Sequence, residues 1–191
     1  MTVPAIVHLI GFPAAGKLTI ARALSEAAST EGARFVVLDN HHVNNVIFPV
    51  LDLDGIKPVP PAVWDRTREI AAVLRRTIEE LSPPQWSFIF TNVLTDDRAS
   101  ERTYVDQLVE LAARTDRRFV PVLLHCNAAA LTARVANVDR RERRKWIDPA
   151  GLREFVDSHS LVDVADLDPV SIDTGVTDPA TAVAIILERL T

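Results

Sequence analysis

Gly11, Gly16 and Lys17 stand in the pattern glycine, four residues, glycine, lysine, inside the stretch HLIGFPAAGKLTIARAL that runs from His8 to Leu24. An apolar strand pattern enters the loop Phe12, Pro13, Ala14, Ala15, and a helical pattern leaves it. A turn of this kind surrounds a phosphate with backbone N–H groups and sets it at a helix N-terminus, where unpaired amides and the helix dipole favour an anion. The glycines supply unusual backbone angles and close approach, and Lys17 adds a positive charge for the β- and γ-phosphates of a nucleotide. One position departs from the pattern. Leu18 stands where Ser or Thr normally follows the lysine, and Thr19 comes one place late.

Moving a phosphoryl group onto a hydroxyl calls for an in-line acceptor and often for a carboxylate that receives the acceptor's proton. Asp39, in VVLDNHHVNN, closes a predicted strand at the edge where ligands bind to parallel sheets. The same residue type at the same place also makes Asx turns and caps helices. Asn40, His41 and His42 follow it, a cluster of polar groups with no packing reason to sit there. In FIFTNVLTDD, Asn92 can hold a metal-bound water but brings no charge. Asp96 and Asp97 are expected to open the next helix, where the dipole favours acidic side chains. Late in the chain Arg140, Arg141, Arg143, Arg144 and Lys145 put five cations into six positions. Such a run is either a solvated face or a cover for an anion.

The elements that must position these groups read as follows. Strands are predicted at AIVHLIG from Ala5, RFVVLD from Arg34, SFIFTNV from Ser87 and RFVPVLLHC from Arg118, with a shorter one at DPVSIDT from Asp168. Helical spacing covers Thr19 to Ala28, Val63 to Leu81, the stripe of Tyr104, Leu108 and Leu111, Ala128 to Val135, and Ala180 to Leu190. This alternation predicts an α/β fold, a five-stranded parallel sheet with helices on both faces. FPVLDLDGIKPVPPAVW, residues 48 to 64, carries four prolines and no sustained period, so it is expected as an ordered surface loop between the second strand and the next helix, with a substrate-side loop at about 40–63.

Composition sets the outer limits. The 191 residues are 48% hydrophobic and 25% charged, which is globular and sufficient for one core over residues 1–191. A formal net charge of -5 argues against nucleic acid or an acidic membrane as partner. The one cysteine, Cys126, cannot form an internal disulfide or a cysteine-rich metal site. The N-terminal apolar run is short, lacks a basic leader and flows into the glycine loop, so a cytoplasmic location is expected.

These features together resemble the P-loop kinases of small molecules: shikimate kinases, adenylate-type kinases and chloramphenicol phosphotransferases. The shared elements are the glycine loop near the N-terminus, the five-strand alternation and a basic segment late in the chain. The resemblance implies a three-layer P-loop fold with a basic lid at about 137–151. It also implies ATP and Mg²⁺ as cofactors, and transfer of the γ-phosphate to a hydroxyl of a metabolite, nucleoside or antibiotic. The alternatives are a nucleotide-binding protein with little transferase activity and a nucleotide hydrolase. On this resemblance Gly11 through Thr19, Arg134 and Asp173 contact the nucleotide, while Lys17 and a lid arginine, Arg140 or Arg144 foremost, meet charge on the transferring group. Asp39 accepts the proton or binds the acceptor, with Asn40, His41, Arg66 and Asn92 beside it. Leu18 replaces the hydroxyl that ligates Mg²⁺ in the family, so metal ligation is where this chain departs from it. Arg66 and Glu69 repeat an Arg-x-x-Glu spacing of shikimate kinases, but the triple-glycine segment of those enzymes is missing.

Overall fold

The alternation of strands and helices closes into one five-stranded sheet in a computed structural model that describes residues 3–30 and 32–191. Its strands are β1 (Ala5–Gly11), β2 (Phe35–Asp39), β3 (Ser87–Asn92), β4 (Arg118–His125) and β5 (Val170–Asp173). They lie in the order β2-β3-β1-β4-β5, and each neighbouring pair is parallel. β1 is central and buried along its whole length, which is why its apolar run is uninterrupted rather than alternating.

The helices are α1 (Lys17–Thr30), α2 (Asn40–Ile47), α3 (Ala62–Leu81), α4 (Ala99–Arg114), α5 (Ala128–Val135), α6 (Val138–Glu142), α7 (Pro149–Ser158) and α8 (Pro179–Glu188). Successive side chains of a strand point to opposite faces, and β1 divides its apolar residues accordingly. Ala5, Val7 and Leu9 pack with Leu24 of α1, Leu131 of α5, Leu152 of α7 and Ile186 of α8. Ile6 packs with Ile78 of α3 and Leu108 and Leu111 of α4. The two faces give the three layers, and all five strands end at the same edge. No helix among the described residues is long and apolar enough to cross a membrane.

Two expectations need correction. Residues 40–63 are not a plain surface loop: they form α2, a 3-10 turn at Phe48–Leu51 and an extended stretch, with Phe48, Leu53 and Val63 buried in a small cluster of their own. The helix begins because Asp39 is its N-cap, its carboxylate accepting the His41 N–H at 3.4 Å, and polar residues are tolerated since only Asn44 is buried. Asp96 and Asp97 do not open α4. Thr95 forms an antiparallel bridge with Leu161, and the Asp96 N–H donates to the Ser160 carbonyl, so the chain turns into the helix only at Ala99.

Candidate functional site

At the carboxyl edge of the sheet lies a cleft of about 1220 Å³, lined by the glycine loop, the ends of β2 and β3, α3 and the basic segment. Within the loop both Ala14, with φ 67°, and Gly16, with φ 87°, are left-handed. Gly16 takes this conformation without a side-chain clash, whereas the Cβ of Ala14 makes it cost about 1–2 kcal/mol. Gly11 serves a different end: a Cβ there would lie 2.8 Å from the Leu124 carbonyl oxygen, so the strand can pass only if the residue has none. Pro13 to Thr19 line the cleft, while Phe12 packs edge-on against Phe155 at 6.0 Å. Lys17 Nζ donates to the carbonyls of Gly11 at 2.6 Å and Phe12 at 2.8 Å. Burial pushes its pKa down to about 7, with the positive charges of Lys145 and Arg140 adding and Asp39 opposing.

Asp39 proves to be both of the things its sequence position allowed, a helix cap and a member of the cleft. It is only 4% exposed and is held from two further directions. Thr91 Oγ1 donates to it at 2.9 Å and Lys145 Nζ at 2.8 Å. Burial pushes the carboxyl up, but the Lys145 charge, its hydrogen bond and the Thr91 hydroxyl outweigh that and hold Asp39 below the usual carboxylate range. His41 faces the same cleft, its ring edge-on to Phe48 at 6.1 Å, and burial followed by the Lys145 charge lowers it to about 4. Asn40 lines the cleft too, its N–H donating to Thr91 Oγ1 at 3.3 Å.

Asn92 sits at the cleft floor with its carbonyl oxygen 3.0 Å from His8 Nε2. Arg134 ties α5 to the far wall, donating to the Thr174 carbonyl at 2.9 Å. Arg140 bonds the Trp146 carbonyl at 3.0 Å, and Arg144 lines the cleft at a left-handed backbone position, φ 54°. Besides Gly11 and Phe12, two expected residues stand outside this wall. Arg66 pairs with Glu69 at 2.7 Å on the outer surface of α3, and Arg68 rather than Arg66 lines the cleft. Asp173 accepts the Gly175 N–H at 2.7 Å and shapes the turn whose Thr174 to Pro179 line the cleft instead. Thr91 and Lys145 were missed as site residues, although both lay in stretches that the sequence singles out: a strand end and the cationic run.

A magnesium ion held by the chain would need side-chain oxygens near the phosphate loop. Leu18 has none, Thr91 and Asn92 are uncharged, and the Asp39 carboxylate is already bonded to Lys145. Asp96 and Asp97 are exposed and do not line the cleft. No group of three or more His, Cys, Asp or Glu side chains converges among the described residues. The other carboxylates that line the cleft are Glu101 and the helix caps Asp148 and Asp178, so with no nucleotide bound the described side chains do not fit a protein-held Mg²⁺.

No family model matches the chain, and no curated protein matches it in sequence. Solved structures match it along its length. A provisionally assigned kinase from Chloroflexus aurantiacus has a TM-score of 0.67 at 17% identity, covering 100% of this chain and 97% of its own. A gluconokinase from Sinorhizobium meliloti has a TM-score of 0.62 at 15% identity, covering 100% and 93%. The fold is that of small-molecule kinases. The APS kinase of Mycobacterium tuberculosis, solved in complex with AMPPNP and APS, shares this kinase fold with a TM-score of 0.58 at 12% identity over 98% of both chains. At these identities the likeness concerns the kinase fold, and the chemistry rests on the cleft itself.

Proposed function

We propose that this protein is an ATP-dependent phosphotransferase acting on a hydroxyl of a small molecule. The observation that carries the reading is the placement of Lys17 and Asp39 in one cleft, a phosphate-loop cation on β1–α1 and a carboxylate at the end of β2. The loop amides and Lys17 hold the phosphates. In the transfer, the acceptor oxygen bonds to the terminal phosphorus as the bond to the bridging oxygen breaks; ADP leaves, and the acceptor's proton passes to Asp39. The basic segment 137–151 covers the site as a lid, and Arg140 and Arg144 line the cleft from it. Magnesium, where it takes part, comes held by nucleotide oxygens and water. The acceptor chamber is walled by Phe48, Leu53, Val59 and Trp64, which suits an acceptor with an apolar face beside its hydroxyl, as in a nucleoside or an antibiotic.

The test is thermal unfolding of wild type and Lys17→Ala with and without ATP. A ligand at a hundredfold excess over Kd stabilises by about 2.7 kcal/mol. Wild type should show that stabilisation and Lys17→Ala should lose it while melting near the same temperature without nucleotide; ATP stabilisation that survives the substitution in full contradicts the site.

A further inference from the structure

The ion pair between Lys145 and Asp39 joins two parts of the cleft that a transfer reaction needs separately. Its side chains are 13% and 5% exposed, so it is a buried pair rather than a surface one. The backbone around Lys145 is pinned by its neighbours. Its N–H donates to the Arg140 carbonyl at 3.0 Å, and the Ile147 N–H donates to the Gly55 carbonyl at 3.4 Å. A Cβ on Gly55 would come within 2.2 Å of the Lys145 carbonyl oxygen, so the two backbones are in direct contact. From this fixed backbone the Lys145 side chain reaches down between elements to the β2 end, into the electrostatic range of Lys17.

Among the described residues the row of charges is thus one carboxylate and two lysines, with Arg140 close behind. One carboxylate satisfies one ammonium. Among the described residues the surplus positive charge is directed at the cleft, and Lys17 donates to the backbone carbonyls of Gly11 and Phe12. A carboxylate bonded to an ammonium is a poor acceptor for a hydroxyl proton, because the pairing stabilises its charged form. A nucleotide's terminal phosphate carries more charge than Asp39 and offers several oxygens to an ammonium.

We propose that Lys145 is a phosphate-binding residue, exchanging Asp39 for the terminal phosphate of a bound nucleotide, so that the nucleotide's arrival uncovers the carboxylate for the acceptor. This rests on the phosphotransferase reading above. The empty site then holds a neutralised base and the loaded site an available one, which makes nucleotide the first ligand to bind productively. It also places a side-chain cation at the phosphate in a chain whose Leu18 gives no oxygen to a metal.

The experiment is a crystal structure with AMPPNP, joined to titrations of ATP and ADP against wild type, Lys145→Met, Lys145→Arg and the double variant Asp39→Asn/Lys145→Met. In the crystal, Lys145 Nζ is expected on an oxygen of the terminal phosphate and off Asp39. In solution, Lys145→Met should weaken ATP about tenfold and ADP less than twofold, a loss close to the usual worth of one charge-assisted contact. Lys145→Arg should restore most of the ATP preference. Removing one partner of a buried pair destabilises the fold, so the double variant, which leaves no uncompensated charge, gives the same reading in a stable chain. AMPPNP seated on the glycine loop with Lys145 still on Asp39, or equal losses for ATP and ADP, overturns the proposal and leaves the phosphotransferase reading standing. No nucleotide on the loop at all overturns both.

Discussion

Burial tunes some single side chains in this protein against their partners, and His8 shows it most plainly. The ring is fully buried on β1, touches Tyr104 and Phe119, bonds Asn92 through Nε2 and leaves Nδ1 without a partner. Burial pushes its pKa from 6.5 down to about 4, against the raising effect of the Asn92 bond. The folded protein therefore keeps a neutral ring while the unfolded chain takes up a proton below about 6.5, so stability falls as pH drops from 6.5 and the loss is complete below about 4. The difference corresponds to roughly 3 kcal/mol. Urea unfolding at pH 6.5 and pH 4.5 should show this decline, with His41 contributing in the same sense, and His8→Phe should remove about one proton from the slope. Identical slopes for the two proteins would contradict the assignment.

Elements were more legible in the sequence than the contacts between them. The five strands are found within a residue or two of their predicted places, most sharply β1 and β3, which are buried almost throughout and so write near-continuous apolar runs. The helix α2 was not legible: NHHVNNVI is a weak helix former, and it is held by the Asp39 cap and by Asn44 and Phe48 packing inward, which are tertiary facts. The glycine loop was read from its letters, while the role of Lys145 was hidden because its partner lies 106 residues away. Gly55 tests the contact between the 52–57 stretch and the basic segment. Its φ is 89° and its Cβ position is occupied by the Lys145 carbonyl, so Gly55→Ala must push residues 144–147 outward. The expected result is a loss of about 2 kcal/mol in stability and a shift in Trp146 fluorescence as the packing of Trp146 on Phe155 loosens. Unchanged fluorescence with unchanged stability would mean that the two segments are not coupled.

At the scale of the whole molecule, a chain of formal net charge -5 places ten of its 21 lysines and arginines around one cleft. Lys17 is faced by Lys145 and Arg140, with Asp39 opposing, and its pKa of about 7 follows from burial and these neighbours. Below pH 7 the ammonium is already charged; above it, a phosphate must bring a proton with it. ATP binding is expected to take up protons above pH 7 and to weaken by up to about tenfold from pH 7.5 to 8.5. Calorimetry in buffers of different ionisation enthalpy measures the uptake directly, and a pH-independent affinity with no uptake would contradict it. The strand order has one more consequence. β3 lies between β1 and β2, so the end of β1 that feeds the glycine loop and the end of β2 that carries Asp39 stand two strand spacings apart, about 10 Å. Under the proposed function the sheet acts as a ruler: a phosphoryl group with a hydroxyl behind it fills that span, whereas a lone water is too small to bridge it, so the spacing itself works against hydrolysis.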